Sequence, residues 1–182
     1  MSRPTRLTVL GLCGSLRAAS LNHMMLRAAA RVAPPHVVLE IYPTLGPLPL
    51  FNPDLEATDP PPVAELRRRI IAADALAIAS PEYAHGVSGV IKNALDWMVG
   101  NESFVLKRVA VFNASPRASH ARAALVETLR TMSAVVIEGA SIELPLLGSG
   151  LDENGIVTHP QMAPALRSAL EALSSSGGGE TG

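Results

Sequence analysis

Five apolar runs alternate with five segments of helical periodicity along this chain, and that order limits the fold more than any other feature. The runs at residues 6–12, 36–42, 75–80, 107–113 and 135–144 are rich in Val, Ile, Leu and Ala, the composition of strands buried on both faces. Between and after them, residues 20–33, 62–73, 87–99, 118–132 and 161–174 repeat apolar side chains every three or four positions. Strict alternation predicts an α/β fold with a parallel sheet covered by helices on both sides. The usual order for five such strands is 2-1-3-4-5, with ligands held at the carboxyl ends of the strands flanking strand 1. Attention therefore falls on three loops, residues 13–22, 80–88 and 113–119.

A length of 182 residues fits one domain, expected over residues 1–173. The small, polar stretch 174–182 is expected to be a disordered tail. Pro43 to Pro62 holds seven prolines and little periodicity, so it reads as an ordered crossover loop before the second helix. Asp152-Glu-Asn-Gly155 reads as a tight turn.

The first loop, Gly11-Leu-Cys-Gly-Ser-Leu-Arg-Ala-Ala-Ser-Leu-Asn22, joins a buried strand to a helix. Such a turn aims backbone N–H groups and a helix N-terminus at one point, which suits a phosphate. Ser15, Ser20 and Asn22 add neutral donors, and Arg17 is the only charge. That inventory fits a phosphate monoester, and so a mononucleotide, better than a triphosphate with magnesium. No Gly-Lys-Ser/Thr of a Walker A loop is present, and Gly11 and Gly14 do not make the dinucleotide fingerprint. The plain alternative is a strand-to-helix turn in which Ser20 is an N-cap.

The second loop is Ser80-Pro-Glu-Tyr-Ala-His-Gly86. Pro81 stops the strand, backbone groups can meet the edge of a planar ring, and Tyr83 can wall it or remain a surface aromatic. The helix that follows packs Val87, Val90, Ile91, Ala94, Leu95, Met98 and Val99 on the sheet. Its opposite face carries Asn93, Asp96 and Trp97, the single tryptophan. An indole left in water forfeits about 2–3 kcal/mol. Either a second subunit covers it, with Asn93 and Asp96 bonding across the contact, or a long loop or the fourth helix of the same chain does. In the third loop, Asn113-Ala-Ser-Pro-Arg-Ala-Ser-His120, Ser115 and Ser119 can donate to a ligand and Arg117 can meet a ring carbonyl or a phosphate. Otherwise Ser119 caps the fourth helix and Arg117 is solvated.

Composition removes several classes. Net charge is −1, and the one basic cluster, Arg67-Arg68-Arg69, lies on a predicted helix without interleaved aromatics, so it is a charged face with no nucleic-acid footprint. Cys13 is the only cysteine, which excludes an intrachain disulfide and a Cys-x-x-Cys site and leaves a small buried filler. The five histidines show no metal-ligand spacing. Neither a signal peptide nor a run of membrane-spanning length is visible, so a soluble cytoplasmic protein without membrane contact is expected.

Taken together, Gly14-Ser-Leu-Arg-Ala-Ala-Ser-Leu-Asn22, Ser80-Pro-Glu-Tyr83 and Gly89-Val-Ile-Lys-Asn-Ala-Leu-Asp-Trp97 resemble the NADPH-dependent FMN reductase family. Leu48-Pro-Leu-Phe-Asn-Pro-Asp-Leu55 resembles that family's loop after strand 2, and the likeness spans about residues 6–160. The resemblance implies a flavodoxin-like three-layer α/β/α sandwich. It implies that Ser15, Arg17, Ser20, Leu21 and Asn22 hold the FMN phosphate, that Pro81, Glu82, Tyr83 and Ala84 line the isoalloxazine largely through backbone groups, and that Ser115 approaches its other side. It also implies a homodimer or homotetramer with the flavin near the subunit contact, in agreement with Trp97 at or near an interface. Ser88, Ala84 and Pro116-Arg117 depart from the family's usual Pro, Asn and glycines, which bears on ring contacts and substrate preference.

The implied chemistry is ping-pong: NADPH or NADH passes a hydride to FMN and leaves, and a flavin, quinone, azo compound or metal oxyanion then takes the electrons. No essential protein acid, base or nucleophile is assigned, because the cofactor carries the difficult chemistry. Tyr83 or His85 is placed to gate the open ring face. The rival readings are a flavodoxin-like electron carrier and a non-catalytic flavin-binding regulatory protein. A carrier usually has a strongly acidic docking field, which a net charge of −1 does not supply.

Overall fold

The computed structural model describes residues 6–175. Strand β1 (Leu7–Cys13) leads into α1 (Leu21–Val32), β2 (Val37–Ile41), α2 (Pro61–Ala72) and β3 (Ala75–Ala79). A two-residue hairpin, β4 (Glu82–Tyr83) with β5 (Gly86–Val87), precedes α3 (Gly89–Val99). Then come β6 (Arg108–Asn113), α4 (Ser119–Thr131), β7 (Val135–Val136), β8 (Ile142–Glu143), α5 (Glu153–Thr158) and α6 (Met162–Ser175). The main sheet is parallel in the order β2-β1-β3-β6-β7, with β8 also paired to β6. This is the flavodoxin-like order 2-1-3-4-5.

The fifth position is filled by two short pieces instead of one strand over 135–144. β7 pairs with Arg108 and Val109, β8 with Phe112 and Asn113, and the turn Glu138–Ala140 lies between them. Opposite the gap, the Val111 N–H donates to the Ser141 hydroxyl at 3.0 Å, so a side chain replaces the missing carbonyl. The backbone donor is satisfied although the strand is broken.

Strand alternation divides the interior into two cores. Val9, Cys13, Ala75, Ala77, Ala79, Ala110 and Phe112 face α1, α5 and α6. Leu10, Leu12, Leu76, Ile78, Val109 and Val111 face α2, α3 and α4. The alanines of β3 on the first side let α1 lie close to the sheet, and Ala28 and Ala29 of α1 are fully buried against it. The residues after Leu151 form α5, in which Asp152 Oδ1 accepts from the Gly155 N–H at 2.7 Å as an N-cap. Glu153 receives Arg27 and Arg31 from α1, and these two guanidiniums hold its carboxyl below the usual carboxylate range. Ser174 and Ser175, expected in the tail, continue α6 instead; the rest of the expected tail, residues 176–182, lies outside the described residues.

The basic cluster is a charged helix face. Arg67 pairs with Asp59, Arg68 with Glu65 and Arg69 with Glu40. Trp97 is 4% exposed within its own chain. Its Nε1 donates to the Pro49 carbonyl at 2.8 Å, and the Phe51 ring meets it edge-on at 5.2 Å. Asn93 accepts from the Phe51 N–H at 2.8 Å and donates to the Pro49 carbonyl at 3.0 Å, while Asp96 pairs with Lys92. The crossover loop is therefore the cover for this face, and burial of Trp97 supplies no argument for a subunit contact. Among the described residues no helix is long and apolar enough to cross a membrane.

Candidate active site

The carboxyl ends of β1, β3 and β6 open into a cavity of about 300 Å³. Ser15, Arg17, Ser20, Leu21 and Asn22 line it from the first loop, and Pro81, Glu82 and Tyr83 from the second. The third loop contributes Ser115 and Arg117. Of the residues singled out in the sequence, Ala84 is not among those that line it.

The first loop is locked to the sheet and to α3. The Gly14 N–H donates to the Ala79 carbonyl at 2.8 Å, and the Gly14 carbonyl accepts from the Ser88 hydroxyl at 2.8 Å. Ser88 also caps α3 by accepting from the Ile91 N–H, and Ser80 Oγ lies 3.2 Å from it. A Cβ on Gly14 would fall 2.5 Å from Ile91 Cγ1, 2.7 Å from Ser88 Oγ and 2.9 Å from Ser80 Oγ. Close approach is thus what requires glycine there.

Ser20 is the N-cap of α1: its hydroxyl accepts from the His23 N–H at 3.2 Å, and its carbonyl from Met24. The N–H groups of Leu21 and Asn22, the first two of the helix, have no intrahelical acceptor and carry the positive end of the helix dipole. The Asn22 side chain lines the cavity and is buried, yet its Oδ1 has no hydrogen-bond partner. An orphaned buried amide oxygen costs about 1–3 kcal/mol unless a ligand donor meets it. A ribityl hydroxyl is such a donor, and the amide turned over would offer Nδ2 to a phosphate oxygen. The Ser15 hydroxyl accepts only a long bond from the Arg17 N–H, 3.4 Å, and keeps its own proton to donate. These groups fit the phosphate and sugar end of FMN.

The Glu82 side chain also braces the site from below the cavity wall. Its Oε2 accepts from the Ala121 N–H at 2.8 Å, and its Oε1 lies 3.1 Å from His85 Nδ1. The carboxylate serves as the cap that α4 lacks, because the N-cap residue Ala118 offers no side-chain acceptor and Ser119 is already helical. The Ala121 N–H is the main cause of a carboxyl pKa below the ordinary glutamate value. The hairpin turns through Ala84 and His85, both with positive φ, 49° and 60°. Two left-handed central residues match the strand twist of a tight hairpin, at a cost for non-glycine side chains. Tyr83 is 57% exposed at the cavity wall.

Ala19, Ser80, Asn113, Ala114 and Ala118 also line the cavity; they lie within the three expected loops but are not among the expected ligand contacts, and Leu147 lies outside those loops. Asn113 could have been suspected from its place at the end of a central strand. It is buried, accepts from the Ser115 N–H at 3.1 Å and so shapes the third loop. Leu147 arrives from beyond the broken fifth strand. Cys13 is buried, and burial is the main cause that raises its thiol pKa, in keeping with a filler and not a nucleophile. No cluster of three metal-ligating side chains occurs among the described residues.

Comparison with known proteins agrees with this geometry. An NAD(P)H-dependent FMN reductase of Pseudomonas aeruginosa is 34% identical over 171 residues, covering 91% of this chain and 92% of that one. An NAD(P)H:quinone oxidoreductase of Solanum tuberosum is 45% identical over 93 residues, about half of each chain at 49% and 48%. The solved structure of the flavoenzyme NAD(P)H:(acceptor) oxidoreductase of Paracoccus denitrificans superimposes with a TM-score of 0.80 at 31% identity, covering 93% of this chain and 96% of that one. The sequence profile of the NADPH-dependent FMN reductases matches residues 7–145, and the chain belongs to that family.

Proposed function

We propose that this protein is an NAD(P)H-dependent, FMN-binding oxidoreductase that works in the cytoplasm by a ping-pong cycle on a small acceptor of the quinone or flavin class. The observation that carries the reading is the buried, unpartnered Asn22 amide oxygen beside the free N–H groups of the α1 N-terminus. A cavity so equipped suits a bound phosphate and sugar. FMN, when bound, supplies the two-electron chemistry of the reaction.

The protein's own residues bind and orient. Ser15, Arg17, Ser20, Leu21 and Asn22 take the phosphate end, with Ser20 acting through its cap and carbonyl to hold the turn. Pro81, Glu82 and Tyr83 form the wall against which the ring rests, and Ser115 reaches it from the third loop. Glu82 contributes by fixing the hairpin to α4, and its carboxylate is not a proton donor near neutrality. Ala84 contributes the backbone of the turn. The exposed Tyr83 ring can cover the open face and limit which acceptors stack there. The relatives named for FMN and quinone reduction support an enzyme over an electron carrier or a regulatory binder.

Self-association as a homodimer or homotetramer belongs to the same proposal. What supports it is the exposure of Leu50, Val99, Val105 and Leu106, large apolar side chains left on the surface of a single chain.

Asn22→Leu tests the binding site. The variant removes the orphaned amide with little change in volume, so it should fold as well as the wild type. FMN affinity, read from quenching of flavin fluorescence, should fall on the order of tenfold or more. Unaltered affinity would remove Asn22 and the α1 N-terminus from the cofactor site.

A further inference from the structure

Two arginines line the cavity, Arg17 and Arg117, and among the described residues no carboxylate lies within 4 Å of either guanidinium. Arg17 lies on the phosphate loop. Arg117 lies across the cavity on the third loop, and nothing in the cofactor site described above uses its charge. The backbone of that loop is held by a short relay: Asn113 Oδ1 accepts from the Ser115 N–H at 3.1 Å, and Ser115 Oγ accepts from the Arg117 N–H at 3.3 Å. The N-terminus of α4 begins at Ser119 with no side-chain cap of its own, and His120 packs against His85 with ring centroids 4.5 Å apart. The one acid on this wall, Glu82, is already committed to the Ala121 N–H and to His85.

We propose that Arg117 forms a subsite at the cavity mouth for an anionic substituent on a substrate that approaches the cofactor. The inference rests on the cofactor site proposed above. The recognised group is a phosphate, sulfonate or comparable oxyanion; it comes either from the reductant, as the 2′-phosphate that separates NADPH from NADH, or from a charged acceptor. An uncommitted guanidinium at the cavity is suited to such a group, because its charge-assisted, bidentate bonds to oxyanions are strong. A solvated surface arginine would show no preference among substrates of the same shape and different charge.

The test uses the FMN-loaded wild type, Arg117→Gln and Arg117→Lys. One arm compares kcat/KM for NADPH and NADH, and measures binding of adenosine 2′,5′-bisphosphate and of adenosine 5′-monophosphate by calorimetry. The other compares 1,2-naphthoquinone-4-sulfonate with uncharged 1,2-naphthoquinone. A preference for the anionic member of about five- to tenfold is expected in one arm, lost in Arg117→Gln and largely kept in Arg117→Lys. The preference should also shrink as ionic strength rises from about 0.01 M to about 1 M. The arm that shows it identifies the source of the anion. Absence of any preference in both arms, or its survival in Arg117→Gln, overturns the subsite. Failure of the wild type to turn over the uncharged quinone with either NADPH or NADH would instead be a failure of the reductase reading.

Discussion

Trp97→Ala is expected to destabilise the protein by about 3–5 kcal/mol without altering its mass in solution. The indole is 4% exposed, fills the space between α3 and the crossover loop, and donates to the Pro49 carbonyl at 2.8 Å. Truncation removes that volume, the edge-on contact with Phe51 and one of the two donors to Pro49; the other is Asn93 Nδ2. The loop has few other anchors near Leu50, so it should also become more sensitive to proteolysis there. Urea unfolding measures the stability, and light scattering in dilute solution measures the mass. A fall in mass, or a loss below about 1 kcal/mol, would mean that the tryptophan is covered by a partner and not by its own chain.

Gly14→Ala is the second large effect. The new methyl meets Ile91 Cγ1 at 2.5 Å, inside a core where Ile91 is fully buried. Overpacking of this kind costs about 1–3 kcal/mol. The strain has one soft outlet, which is displacement of the first loop away from α3. That movement breaks the bond from the Ser88 hydroxyl to the Gly14 carbonyl and shifts Ser15 relative to the α1 N-terminus. FMN affinity should therefore fall together with stability. Ile91→Ala makes room for the methyl, so the double variant should be more stable than the sum of the two single losses predicts. Strict additivity in that cycle would show that Gly14 and Ile91 do not touch.

Much of this site was legible because it depends on local periodicity. The strand-to-helix turn at residues 13–22 shows in the change from a continuous apolar run to helical spacing, and its serines and Asn22 face the cavity as the spacing implies. The broken fifth strand was not legible. Val135 to Leu144 has the composition of a strand throughout, and only the pairing of Ser141 with Val111 reveals that a side chain stands in for backbone. The hairpin was hidden for a related reason: Ala84-His85 lacks the Asn-Gly signature of its turn and adopts positive φ all the same. Trp97 was read on the right helix face, but the occupant of that face lies about 48 residues earlier in the chain, at Pro49 and Phe51. Helical spacing reports which face is covered and not by what. Glu82 shows the converse limit. A residue of the cavity-lining second loop spends its carboxylate on capping α4, a role set by a helix that begins 37 residues later and invisible in the loop itself.

The central claim is that the cavity between β1, β3 and β6 binds FMN for two-electron reduction by NAD(P)H. The most direct measurement is an anaerobic titration of the FMN-reconstituted protein with NADPH, followed in the visible spectrum. The account predicts one flavin bound per chain and complete bleaching by one equivalent of NADPH. Flavin that stays oxidised with both NADPH and NADH, or a protein that retains no flavin, would contradict it.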